Sequence, residues 1–166
     1  MTKYDELIRL LKDHFVRYTE FEQRGKSAIR TMMQSFAQYL EAPPQTCRVG
    51  PPGMPLDSTE DHHPDDLAEL RDDGRFAGSI VVSEASPHGG IARFTFYVRM
   101  DGETYVVQSG DAAPGKEFRV NALDATALVE FFDHAFGEVT ELLKSQPEKL
   151  VRGASARPIG FAPWIS

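Results

Sequence analysis

Residues 91–100 alternate without a break. Ala92, Phe94, Phe96, Val98 and Met100 share one parity; Ile91, Arg93, Thr95, Tyr97 and Arg99 share the other. A period of two with one apolar parity marks a strand lying on a core. Asp101-Gly102 follows, a favoured pair for a two-residue type I′ turn. With that turn, Met100 is expected opposite Glu103, Val98 opposite Tyr105 and Phe96 opposite Val107. The other parity pairs Arg99 with Thr104, Tyr97 with Val106 and Thr95 with Gln108. Turn chemistry and patterning agree on which face is apolar.

Two more strands are expected to flank this hairpin. Residues 76–83 carry Phe76, Ile80 and Val82 on one parity, and residues 117–120 carry Phe118 and Val120. Loops rich in proline and glycine, residues 84–90 and 110–115, separate them from the hairpin. The result is a β-meander between Arg75 and Val120. An amphipathic helix over residues 123–144 follows at once. Leu128, Phe131, Phe132, Ala135, Phe136, Val139, Leu142 and Leu143 recur at spacings of three and four. Asn121 or Asp124 can cap its start, and Pro147 marks its end.

Residues 1–41 read as helical. Tyr4, Ile8, Leu11, Phe15 and Tyr18 keep a heptad spacing, and Ile29, Met32, Phe36 and Tyr39 resume it in phase across Glu22 and Gly25. A continuous helix of this length would span about 60 Å, roughly twice the width of a small core. It must bend near Gly25, or project and pair with another chain. Residues 42–63 form a proline-rich and acidic loop; Pro43, Pro44, Pro51, Pro52 and Pro55 are expected to keep its first part irregular. Residues 64–146 are the helix–meander–helix core, opening on a short helix over residues 64–73. Residues 147–166 are an apolar tail containing Ile159, Phe161 and the single tryptophan, Trp164. The expected fold is therefore a single α+β domain of two layers. A four-stranded antiparallel meander is covered by a C-terminal helix and a long, kinked or continuous N-terminal helix.

Composition excludes several classes. One cysteine, Cys47, rules out an internal disulfide framework and a multi-cysteine zinc site. No basic segment followed by an apolar run opens the chain, and no apolar stretch reaches the ~20 residues that span a bilayer. A reducing cytoplasm is the expected location. The net charge is −7, and residues 57–75 hold eight acidic against two basic side chains. An acidic chain of this kind argues against general nucleic-acid affinity.

Three groups of residues carry functional hypotheses. The face bearing Arg93, Tyr97, Arg99 and Arg119 combines arginine with an aromatic ring, a composition enriched at protein interfaces. It is expected to be a solvated outer face, a site for a protein partner or for the chain's own N-terminal helix, or a weak nucleic-acid platform on which bases stack. The tail residues Phe161 and Trp164 are expected to pack on their own subunit or dock into a partner. Asp61, His62, His63 and Asp65 are the densest set of potential metal ligands, suited to zinc, manganese or iron in a small hydrolase. Asp-His-His also occurs in a family of metal-dependent phosphoesterases. The match ends after three residues, so that family is not assigned, and no bound metal is expected. Gly25-Lys26-Ser27 lacks the upstream glycine and strand of a phosphate-binding loop. No serine sits in a nucleophile elbow, and no cofactor is expected. The function that remains is a non-enzymatic protein-interaction module of the adaptor, inhibitor or chaperone-like kind. It is expected to be a homodimer through the N-terminal helix or the tail.

Overall fold

A computed structural model describes residues 1–56, 61–84, 90–110, 114–145 and 159–161, the side chains of 145 and 159–161 aside. Its first element, α1 (Lys3–Tyr39), is one uninterrupted helix. Thr2 starts it with a reciprocal cap: Thr2 Oγ1 accepts from Asp5 N at 3.1 Å, and Thr2 N donates to Asp5 Oδ2 at 2.9 Å. The Thr2 hydroxyl also donates to Asp5 Oδ2 at 2.7 Å, and this bond, with the one from Thr2 N, holds the Asp5 carboxyl below its usual pKa. The helix ends where Glu41 turns left-handed, at φ 51°, and Pro43 and Pro44 follow.

Of the two alternatives at Gly25, a bend or a continuous helix, the helix is continuous, and the reason is packing. Gly25 is buried against the sheet, and a Cβ there would collide with the Phe76 ring. One turn on, the surfaces reverse roles. Ile29 seats over Gly78, where an added Cβ would lie 2.5 Å from Ile29 Cγ2. Glycine on each surface lets the helix approach the strand closely.

The sheet is larger than the four strands expected. Its elements are β1 (Cys47–Gly50), β2 (Glu69–Leu70), β3 (Phe76–Ser83), β4 (Gly90–Asp101), β5 (Thr104–Ser109), β6 (Phe118–Val120) and β7 (Ile159–Phe161). The order is β1-β3-β4-β5-β6, with β2 on β3 and β7 on β4, and every pair is antiparallel. The sequential core β3–β6 is the meander read from the sequence. The extra strands are short and lie beside it. β1 fits between Pro44 and Pro51, on four residues that have backbone N–H groups to donate. The short helix expected at 64–73 is only a 3-10 turn, Pro64–Asp66. The chain then extends into β2 and reverses at Gly74, φ 80°.

The hairpin turn is displaced by one residue from the expectation. Asp101 pairs with Thr104, so Gly102 and Glu103 are the central residues, and Val98 lies opposite Val107 rather than Tyr105. Gly102 has φ 63°, while Glu103 is not among the residues of positive φ. Glycine with positive φ at the first central position is the type II′ pattern. The register slips by two residues, an even number, so the faces are unchanged.

The second helix, α2 (Val129–Ser145), starts later than the pattern suggested. Asp124 Oδ1 accepts from Ala127 N at 2.9 Å and organises the turn before it. α2 and the C-terminal half of α1 cover the same sheet face. Phe36 is the centre of this core, with ring centroids 4.7 Å from Phe94, 5.0 Å from Phe96 and 5.1 Å from Phe132. Ser35 Oγ donates to the Leu123 carbonyl at 2.7 Å and Tyr39 OH to Asp133 Oδ1 at 2.6 Å, tying the two helical segments together. Phe131 and Phe132 are buried; Phe136, expected on the same stripe, is 42% exposed at the rim. Among the described residues, no helix is long and apolar enough to cross a membrane.

Candidate protein-interaction surface

The helical stripe of α1 has two environments. From Gly25 to Tyr39 it lies on the sheet: Ile29, Met32 and Phe36 are fully buried. From Tyr4 to Tyr18 the same stripe, in the same phase, faces water. Tyr4 and Phe15 are 69% exposed, Leu11 54% and Tyr18 47%. Leu7 and Leu10 widen the exposed face.

The boundary is sharp and has visible causes. Phe21 rests on Phe76 with centroids 5.2 Å apart. Arg24 Nη2 donates to the Gly102 carbonyl at 3.2 Å, and its guanidinium lies 5.7 Å from the centre of the Tyr105 ring. The Arg24 contacts use the tip of the β4–β5 hairpin and the Phe21 contact uses the first residue of β3. N-terminal to them, α1 continues with only local support. That support is the Thr2–Asp5 cap and a Thr19 Oγ1 hydrogen bond donated to the Phe15 carbonyl at 2.9 Å. An isolated helix of this length is marginal in water. It carries an apolar stripe that nothing in its own chain covers among the described residues.

The arginine-bearing face is not an open platform. Tyr97 is 1% exposed, with the Arg71 guanidinium 5.6 Å from its ring centre. Arg93 is buried, and its Nη1 donates to the Met54 carbonyl at 2.8 Å. Ser79 and Thr95 share a hydroxyl bond at 2.9 Å, and Gln108 Nε2 donates to the Gly115 carbonyl at 2.8 Å. Loop segments fold over this face and supply carbonyl acceptors to Arg93 and Gln108, so the face is closed around Tyr97 rather than solvated. Arg99 and Arg119 lie at its open edge. Arg99 sits 3.9 Å from Glu117, which Arg75 also approaches. Arg119 donates to Asp101 Oδ2 at 2.6 Å, and this bond keeps the Asp101 carboxyl below its ordinary pKa.

The acidic turn separates its two histidines. His63 is exposed, and its Nδ1 accepts from Asp65 N at 3.3 Å. His62 lies over β1: a Cβ on Gly50 would sit 2.9 Å from His62 Cδ2. No group of three or more histidine, cysteine, aspartate or glutamate side chains among the described residues is placed to hold a metal ion. Cys47 is half-buried, and burial pushes its thiol pKa up, opposite to what a reactive thiolate needs.

Of the tail, β7 contributes backbone pairing, with Phe161 opposite Gly90; Trp164 lies outside the described residues. The exposed half of α1 had one legible signal, the unbroken heptad phase through Glu22 and Gly25. What the sequence did not reveal is where the sheet stops supporting the helix. Set against known protein families, curated proteins and solved structures, the chain matches none of them.

Proposed function

We propose that this protein is a non-enzymatic protein-interaction module whose working surface is the projecting half of α1. One observation carries the reading: a single helix continues its core-forming stripe, in phase, for four turns beyond the core. Apolar patches on monomeric proteins seldom exceed about 300–600 Å². Seven large apolar side chains between Tyr4 and Phe21 are 38–69% exposed along one side of this helix. At roughly 150–250 Å² for a large ring and somewhat less for leucine, they present on the order of 700–900 Å². That equals one partner's share of a standard protein interface, about 800 Å².

In this reading Tyr97 and Arg93 are structural residues, and Arg99 and Arg119 stay at the edge of the other sheet face, paired with Glu117 and Asp101. The hydrolase alternative rests on Asp61, His62, His63 and Asp65, which do not converge, and the nucleic-acid alternative needs a ring that is buried. A single cysteine suits a module that works in a reducing compartment. The test is a photo-crosslinking amino acid in place of Leu7, in the full chain expressed in its native host. A discrete crosslinked protein band that disappears with Phe15→Asp supports the reading. Crosslinking that ignores Phe15→Asp, or no protein crosslink at this position, overturns it.

A further inference from the structure

We infer that the occupant of this stripe is a second copy of the same chain, paired antiparallel through residues 4–18. This rests on the interaction role proposed for the same helix. The apolar area per copy is what a stable two-fold dimer uses, and a two-fold axis lets one patch cover its own counterpart. The heptad spacing gives the seam. Ile8 and Phe15 take one core position, Tyr4, Leu11 and Tyr18 the other.

Direction follows from the flanks and from the length of the free stretch. In a parallel pair, Leu7 would meet Lys12 across the seam and His14 would meet Thr19, so no charge finds its opposite. In an antiparallel pair, Tyr4 packs on the partner's Phe15 and Ile8 on the partner's Leu11. Asp5 then stands beside the partner's Lys12, and the two-fold axis repeats that contact. The overlap also fits the space. With Ile8 opposite Leu11, Lys3 at the start of one helix lies opposite Val16 of the other, and Met1 before it opposite Tyr18, one turn short of Phe21, where that helix enters its own sheet. The free stripe is as long as this pairing requires.

The experiment uses the full chain at tens of micromolar in light scattering and sedimentation. Wild type should be a dimer. The Leu11→Asp/Phe15→Asp double variant should raise the dissociation constant on the order of 100-fold or more and run as a monomer. Its melting curve at high dilution should match wild type, because both residues are exposed in the single chain. Direction is read from two proteins, Cys47→Ser/Tyr4→Cys and Cys47→Ser/Phe15→Cys, oxidised in an equal mixture. Antiparallel pairing gives the disulfide between positions 4 and 15; predominance of like-with-like disulfides overturns the geometry. A wild-type monomer overturns self-pairing, as does a dimer unaffected by the double variant. If the wild type is monomeric but the Leu7 crosslinker captures a different protein, self-pairing fails and the interaction role stands. Vesicle binding by a monomeric wild type overturns both.

Discussion

Two glycines and one tyrosine show how single residues set this structure. Gly25 is glycine because the Phe76 ring occupies the place of a side chain. Gly25→Ala should therefore destabilise by roughly 1–3 kcal/mol, the usual cost of overpacking a tight core, although alanine is the better helix former. A stabilised variant in chemical denaturation would mean that α1 does not press on β3. Gly102 is glycine for a different reason, its φ of 63° with open space around it. Gly102→Val should cost at least about 1–2 kcal/mol through backbone strain alone. Tyr39 is set by its surroundings. Burial first, then its hydrogen bond to Asp133 and that carboxylate's charge, push its pKa up to about 12. The folded state thus favours the neutral phenol more than the unfolded chain does, whose tyrosines ionise near ~10. That contribution is complete below the unfolded value and is lost as pH rises through the folded one. Denaturation between these two values should show wild type losing stability that Tyr39→Phe does not lose, and parallel pH curves for the two proteins would sink the assignment.

At the scale of elements, α2 divides its phenylalanines. Phe131 and Phe132 are at most 1% exposed, whereas Phe136 is 42% exposed. Phe131→Ala and Phe132→Ala should each cost about 3–5 kcal/mol, while Phe136→Ala should cost clearly less. Equal losses of melting temperature for all three would mean that the helix sits rotated on the sheet. The alternation in β4 made both faces of the meander legible, because side-chain type alternates with the pleat, although residues 93–98 are buried on both faces. It could not choose between turns. Asp101-Gly102 and Gly102-Glu103 are both permitted two-residue loops, and the registers they imply differ by two residues, which moves no side chain to the other face. The short strand β1 was hidden by its flanking prolines. The closed arginine face was hidden for a less local reason. Arg93 and Gln108 are polar by type, yet their partners are carbonyls of Met54 and Gly115, supplied by loops folding back over the sheet. Such backbone partners leave no mark in side-chain patterning. The exposed stripe on α1 was half legible: its phase was plain, but the point where the sheet ends was not.

The whole molecule has two parts with different claims on stability. The folded unit begins near Phe21; every apolar side chain named before it on α1 lies at least partly in water, and none joins the core cluster around Phe36. Removing residues 1–18 should therefore leave the intrachain core intact. At high dilution, where chains are alone, the truncated and full chains should melt within about 2–4 °C of each other, the shift expected for a change of 1 kcal/mol at this size. Raising the concentration should separate them. If α1 pairs with a second copy, association is linked to folding, and the melting temperature of the full chain must climb with concentration. The truncated chain has lost the seam and should melt at one temperature throughout. A steep loss of stability on truncation at high dilution would place the stalk within the chain's own core. A concentration-independent full-length melt would show that the stalk is folded without a second copy to cover it.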